Sequence, residues 1–319
     1  MVTALLLTGL LAGLATAAYA GEPREITAKG PEGNLAGTLI PAAKGKPTLL
    51  IIPGSGPTDR DGNNPLGVTA SSYRMLAEAL GERGIGSIRI DKRGMFGSAA
   101  AIPNPNDVTI TAYAEDVHAW IAAARDETGA ECLWVLGHSE GGLVALQAAQ
   151  EAEGVCGVLL VASVGRPIGT ILREQLQANP ANAPIMSEAL GAIEALEAGE
   201  RVSVKGMHPA LVGLFNPAVQ SFLIDMMSRD PATLASSLTV PALIVTGGKD
   251  LQTPVSDGEA LAAGQSAAKF VVVPDMNHVL KRVEADDRPS NLATYANASL
   301  PIHSALVEAI ADFVSAEAG

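Results

Sequence analysis

From about residue 25 the chain alternates short apolar runs, closed by Gly and Pro, with longer stretches at helical spacing. Residues 25–40 alternate apolar and polar positions and break at Gly33-Asn34, which predicts a β-hairpin. Residues 48–52 are continuously apolar and end in Pro53-Gly54, the pattern of a strand buried on both faces. Helical spacing over 71–81 then gives way to strand over 85–90, helix over 109–125, strand over 132–136, helix over 141–151 and strand over 158–162. This order predicts a parallel sheet with helices on both faces.

Between about residues 165 and 238 the strand signal disappears. Helical segments broken by Pro180, Pro184, Pro209 and Pro217 read as a cap inserted into the α/β domain. Alternation resumes with strand 242–246, helix 257–263, strand 270–273 and a last helix over 302–314. Eight strands are expected in a mostly parallel sheet, within one domain over 21–319.

The first twenty residues stand apart. Residues 2–20 carry no charge and end Ala18-Tyr19-Ala20, which reads as a signal peptide cleaved after Ala20 and implies a periplasmic or secreted protein. No Lys or Arg precedes the apolar run, so an uncleaved anchor is the alternative. Cys132 and Cys156 are the two cysteines, each near the start of a predicted strand. A disulfide between neighbouring strands and a pair of buried thiols are both open readings.

Composition narrows the function classes. With 319 residues, 48 % apolar and 17 % charged, the chain is globular. A formal net charge of −13 repels phosphate backbones and argues against nucleic acid as a partner. With no H-E-x-x-H, no Cys/His cluster and no P-loop, neither a metal nor a cofactor is expected.

The candidate chemistry lies at strand ends. Residues 137–142 read Gly-His-Ser-Glu-Gly-Gly, a G-x-S-x-G between a predicted strand and a predicted helix. That context predicts a sharp turn lifting the Ser139 hydroxyl above the sheet edge, with a helix N-terminus beneath it. A serine hydroxyl needs a base, and the base needs an orienting acid, here in the chain order Ser, Asp, His. Asp250 follows the strand at 242–246 and His278 follows the strand at 270–273. His118, His138, His208 and His303 lack the right topological position; Asp225 and Asp230 are the competing acids. The oxyanion site is expected from the backbone N–H groups of Glu140 and Ser55, with Gly56 the next choice.

The segments P-G-S-G-P-T-D-R-D-G-N from Pro53, D-K-R-G-M-F-G-S from Asp91, G-H-S-E-G-G from Gly137, G-G-K-D from Gly247 and M-N-H from Met276 form a set. It resembles the α/β-hydrolase esterases with a G-S-G-P-x-D-R-D-G-N loop, relatives of the serine-aminopeptidase-like hydrolases. The resemblance covers nearly all the chain beyond residue 20 and implies an α/β-hydrolase fold and carboxylesterase activity on a small-molecule ester. Aminopeptidase action would need a cap carboxylate for the substrate amine, with Glu188, Glu194 or Glu197 available; thioesterase or lactonase action needs only the same triad. A non-catalytic binding protein would carry a broken triad. Apolar cap residues such as Leu172, Phe222 and Met226 suggest an apolar acyl group of modest size. Two charged clusters lie on neighbouring loops, and Arg93 is expected to pair with Asp59 or Asp61 and so hold the oxyanion loop.

Overall fold

The computed structural model describes residues 21–317, so the signal segment expected over 1–20 lies outside the described residues. Eight strands form one sheet: β1 (Arg24–Lys29), β2 (Asn34–Ile40), β3 (Thr48–Ile52), β4 (Gly86–Ile90), β5 (Leu133–His138), β6 (Val155–Val161), β7 (Ala242–Gly247) and β8 (Lys269–Val273). Their spatial order is β1-β2-β4-β3-β5-β6-β7-β8. The first two strands are antiparallel to their neighbours, and β4 through β8 pair in parallel.

Burial follows position in the sheet. Strands β3, β4 and β5 are buried at every residue, whereas edge strand β1 buries only Ile26 and Ala28. Side chains alternate across the pleat. On β3, Leu50 and Ile52 join the core on one face while Leu49 and Ile51 join the core on the other.

Helices α1 (Ser72–Gly81) and, at the end of the chain, Ser304–Glu317 cover the second face. Helices α2 (Ile110–Thr128) and α3 (Glu140–Ala148) cover the first. Between β6 and β7 the chain runs through α4 (Ile168–Gln177), α5 (Met186–Glu197), α6 (Pro209–Val212), α7 (Gln220–Met227) and α8 (Pro231–Ser236). Helices α9 (Val255–Gly264) and α10 (Arg288–Ala293) follow, so the terminal helix is α11.

Several boundaries differ from the sequence pattern by up to three residues, two of them for packing reasons. Strand β6 starts three residues before the expected 158 and includes Gly157. A Cβ there would lie 2.3 Å from the Trp134 ring, so glycine makes room for a large neighbour instead of ending the strand. The last helix starts at Ser304 because Ile302 is taken up in a bridge to Lys281. Cys132 and Cys156 form a disulfide, with Cα atoms 5.3 Å apart, next to the β5–β6 pairing.

Candidate active site

Ser139, Asp250 and His278 follow β5, β7 and β8 respectively, all at the C-terminal edge of the parallel sheet, where open α/β sheets place their sites. Ser139 has φ 55° and ψ −122°, a strained conformation for a residue with a side chain, and it caps the N-terminus of α3. The turn tolerates no bulk beside it. A Cβ on Gly137 would lie 2.1 Å from the Gly141 carbonyl oxygen, and one on Gly141 would lie 2.5 Å from that of Ile52.

Asp250 and His278 are hydrogen-bonded, His278 Nδ1 to Asp250 Oδ2, at 2.9 Å. Asp250 also accepts from the N–H groups of Gln252 (2.7 Å) and Thr253 (2.9 Å) and from the Thr253 hydroxyl (2.9 Å). Burial alone would raise the Asp250 carboxyl. The His278 charge, its hydrogen bond and the two N–H groups outweigh burial and hold it below the usual carboxylate range. Ser139 Oγ makes no hydrogen bond to His278 among the described residues, but both line one cavity of about 140 Å³. Such contacts commonly close only when substrate is bound.

The N–H groups of Ser55 and Glu140 have no protein acceptor among the described residues, and both residues line a larger cavity of about 720 Å³ together with Ser139. Leu172, Leu214, Phe222, Leu223 and Met226 contribute apolar wall to it from the segment between β6 and β7. Of Glu188, Glu194 and Glu197, none lines either cavity. Glu188 accepts from His208 N–H at 2.9 Å and Glu197 pairs with Arg173.

The expected pairing of Arg93 with Asp59 or Asp61 is not what the structure contains. Arg93 grips Asp116 of α2 with two hydrogen bonds of 2.7 Å and donates to the Ala112 carbonyl at 2.6 Å. The two loops are tied instead by Arg60 to Asp91 (Nε–Oδ2 3.0 Å) and by Arg89 to Asp61. The pleat explains the exchange. Arg89 lies on β4 and Asp91, one residue past its end, still donates its N–H to Ala36 of β2, so both keep the same side of the pleat and reach the 59–63 loop; Arg93, two residues further, has left the sheet and turns to α2. Asp59 stays within its own loop and accepts from the N–H groups of Asp61 (2.9 Å) and Asn63 (2.8 Å).

Sequence reasoning missed a second buried chain. Gly54 N–H donates to the Tyr73 hydroxyl (3.0 Å), which meets His138 Nδ1 at 2.8 Å. His138 Nε2 in turn meets the His278 carbonyl oxygen at 2.8 Å. A carbonyl only accepts, so Nε2 carries the proton of the His138 ring and Nδ1 accepts the hydrogen bond that the Tyr73 hydroxyl donates. Burial first, and His278 beside it second, pull His138 down to about 3, so the ring is neutral. His138 was visible in the motif; nothing local marks Tyr73.

A sheet of this order with a serine at positive φ at one strand end and an Asp–His pair at two others has the layout of the nucleophile-elbow hydrolases. The sequence pattern of the alpha/beta hydrolase family matches residues 49–291, and the chain belongs to that family. Esterase EstD of Thermotoga maritima is 27 % identical over 276 residues, which are 84 % of this chain; the chain spans 62 % of the length of that curated relative. Among solved structures, a thermophilic esterase from Thermogutta terrifontis superposes with a TM-score of 0.55 at 21 % identity, over 94 % of this chain and 100 % of the other. A puromycin-hydrolyzing peptidase from Mycobacterium tuberculosis superposes with a TM-score of 0.57 at 19 % identity, over 97 % of this chain and 42 % of the other. The fold thus carries more than one activity, and the reaction must be argued from the site.

Proposed function

We propose that this protein is a serine carboxylesterase that cleaves esters of an apolar acyl group and a small alcohol. His278 takes the Ser139 proton as the hydroxyl attacks the ester carbonyl, and Asp250 holds the imidazole and stabilises its cation. The N–H groups of Ser55 and Glu140 receive the developing oxyanion. His278 returns the proton to the leaving alcohol, and water then releases the acyl group from Ser139 by the same route.

The observation that carries this reading is the hydrogen-bonded Asp250–His278 pair, whose His278 lines one cavity with Ser139 on its elbow. Similarity to Esterase EstD supports ester chemistry. The division of the site supports the substrate class. The leaving group must sit beside His278, which lines only the smaller cavity, so the larger apolar cavity receives the acyl chain. Among the described residues Glu140 is the one carboxylate lining either cavity, and it is engaged by Lys92 at 3.1 Å, which argues against the aminopeptidase alternative.

The apolar stretch ending at Ala20 and the Cys132–Cys156 disulfide support export to an oxidising compartment with processing after Ala20. Intact-mass analysis of the secreted or periplasmic protein tests the processing.

The activity is tested by hydrolysis of p-nitrophenyl esters of rising acyl length beside an amino-acid p-nitroanilide, in the wild type and Ser139→Ala. Ester turnover that vanishes in the variant is expected. Cleavage of the anilide alone would replace the esterase by a peptidase.

A further inference from the structure

The proposed reaction leaves the buried Lys92–Glu140 ion pair without a role. Lys92 follows β4 and Glu140 opens α3, and each side chain is only 3 % exposed. Lys92 Nζ donates to the Gly54 carbonyl oxygen at 2.7 Å and to Glu140 Oε1 at 3.1 Å, and it lies 5.3 Å from the centroid of the Tyr113 ring. A buried ion pair adds little net stability, because desolvation offsets the attraction between the charges. Its position is more telling: it bridges the two segments that carry the free Ser55 and Glu140 N–H groups.

We propose that Lys92 is a positioning residue that fixes the oxyanion site by holding the Gly54–Ser55 peptide unit, with the Glu140 side chain holding Lys92 in turn. The inference rests on the esterase reading above. The Gly54–Ser55 peptide is trans, so its C=O and N–H point in opposite directions. Fixing the Gly54 oxygen on Lys92 therefore fixes the direction of the Ser55 N–H. Glu140 closes the link, because its own N–H is the second donor and its carboxylate bonds the ammonium.

The need for such a clamp follows from Gly54. A Cβ at this position would lie 3.2 Å from Ser139 Cβ, so the close approach of the loop to the elbow favours glycine. Glycine is also the residue whose flanking peptides rotate most freely. The peptide before Gly54 is held by the Tyr73 hydroxyl and the peptide after it by Lys92. Tyr73 connects to His138 and Lys92 to Glu140, the two neighbours of Ser139. Donors fixed before the reaction need no reorganisation as charge develops, which is how an oxyanion site accelerates acyl transfer.

The test compares a p-nitrophenyl ester with its thiono analogue in the wild type, Lys92→Met and Lys92→Met/Glu140→Gln. Sulfur accepts hydrogen bonds weakly, so the thiono substrate draws little on the oxyanion site. The double variant leaves no unpaired buried charge, which keeps the fold intact if the single variant fails to fold. Ester kcat is expected to fall by about 10²-fold in the double variant with KM unchanged. The thiono rate should fall far less, so the ester-to-thiono ratio contracts by a similar factor. Wild-type ester turnover in the double variant, or an equal fall for both substrates, would overturn the proposal and leave the pair a packing feature. If the wild type hydrolyses no ester, the esterase reading fails separately. Lys92 is then judged by the rate at which a fluorophosphonate labels Ser139, since phosphonylation also builds negative charge on an oxygen at this position. An unchanged labelling rate in the double variant overturns the clamp.

Discussion

Replacing Tyr73 by Phe removes one oxygen from the buried chain that joins the Gly54 loop to the His278 loop. Tyr73 is 3 % exposed, and burial pushes its phenol above the ordinary tyrosine range, so the hydroxyl stays protonated and donates to His138. Tyr73→Phe leaves two groups without partners, the Gly54 N–H at 3.0 Å and His138 Nδ1 at 2.8 Å from the lost oxygen. Each unsatisfied buried group costs about 1–3 kcal/mol. Gly54, Tyr73 and His138 line the smaller cavity, where water can reach them, so the lower end applies and the loss is about 2–3 kcal/mol. Urea denaturation reads this as a lower midpoint at an unchanged slope. Turnover falls as well, by about 10-fold in kcat with KM unchanged, because the Gly54 peptide loosens. His138→Leu breaks the same chain, so the double variant should be less destabilised than the sum of the singles by about 1 kcal/mol or more. A Tyr73→Phe protein within about 0.5 kcal/mol of the wild type, with unchanged kcat, would refute the argument that this chain holds the loop.

Four further outcomes follow from the site and the core. Asp250→Asn should lower kcat by about 10⁴-fold through loss of the imidazole's partner, as measured with the best p-nitrophenyl ester. The Asp250 carboxyl is held low in the folded protein, so its contribution to stability is full above about pH 4 and is lost as pH falls through the folded value. Denaturation midpoints between about pH 6 and pH 3 should therefore fall less steeply in Asp250→Asn, and equal slopes would count against the assignment. Leu172→Trp fills the larger cavity and should raise KM for long acyl esters more than for the acetate; a flat KM series would remove the acyl group from that cavity. Lys281 is fully buried, donates to the Leu300 carbonyl at 2.7 Å, and is pulled down to about 8 by burial, with Arg74 adding to the effect. Between that value and about 10.4 the unfolded chain binds more protons, so stability should rise with pH in this window and Lys281→Met should abolish the rise. Denaturation at either end of the window checks it.

The strands and helices were legible because their signals are local. A continuous apolar run such as that at β3 and the helical spacing of α1 each report burial within one short segment. The site was legible as far as topology carried it. Ser139 sits in a motif that only a sharp strand-to-helix turn can accommodate, and the positions of Asp250 and His278 follow from which strands precede them. Cys132 and Cys156 stood at the threshold: neighbouring strand starts allowed a disulfide, and the β5–β6 register made one.

Partners between loops were another matter. The sequence offered three acidic and four basic groups between Asp59 and Arg93 on two loops and the strand between them, with nothing to sort them. The sort came from the direction in which each side chain leaves the backbone: Arg89 and Asp91 toward the 59–63 loop, Arg93 toward Asp116 of α2, and Lys92 inward to Gly54 and Glu140. Tyr73 reached His138 across 65 residues of chain for the same reason. By itself the amino-acid order determined the fold class and the places of Ser139, Asp250 and His278 after their strands, because periodicity, turn chemistry and strand order are properties of short segments and their succession. The tertiary structure alone decided which polar side chains hold the 54–63 loop, because hydrogen bonds of about 3 Å depend on pleat, register and the docking of distant segments.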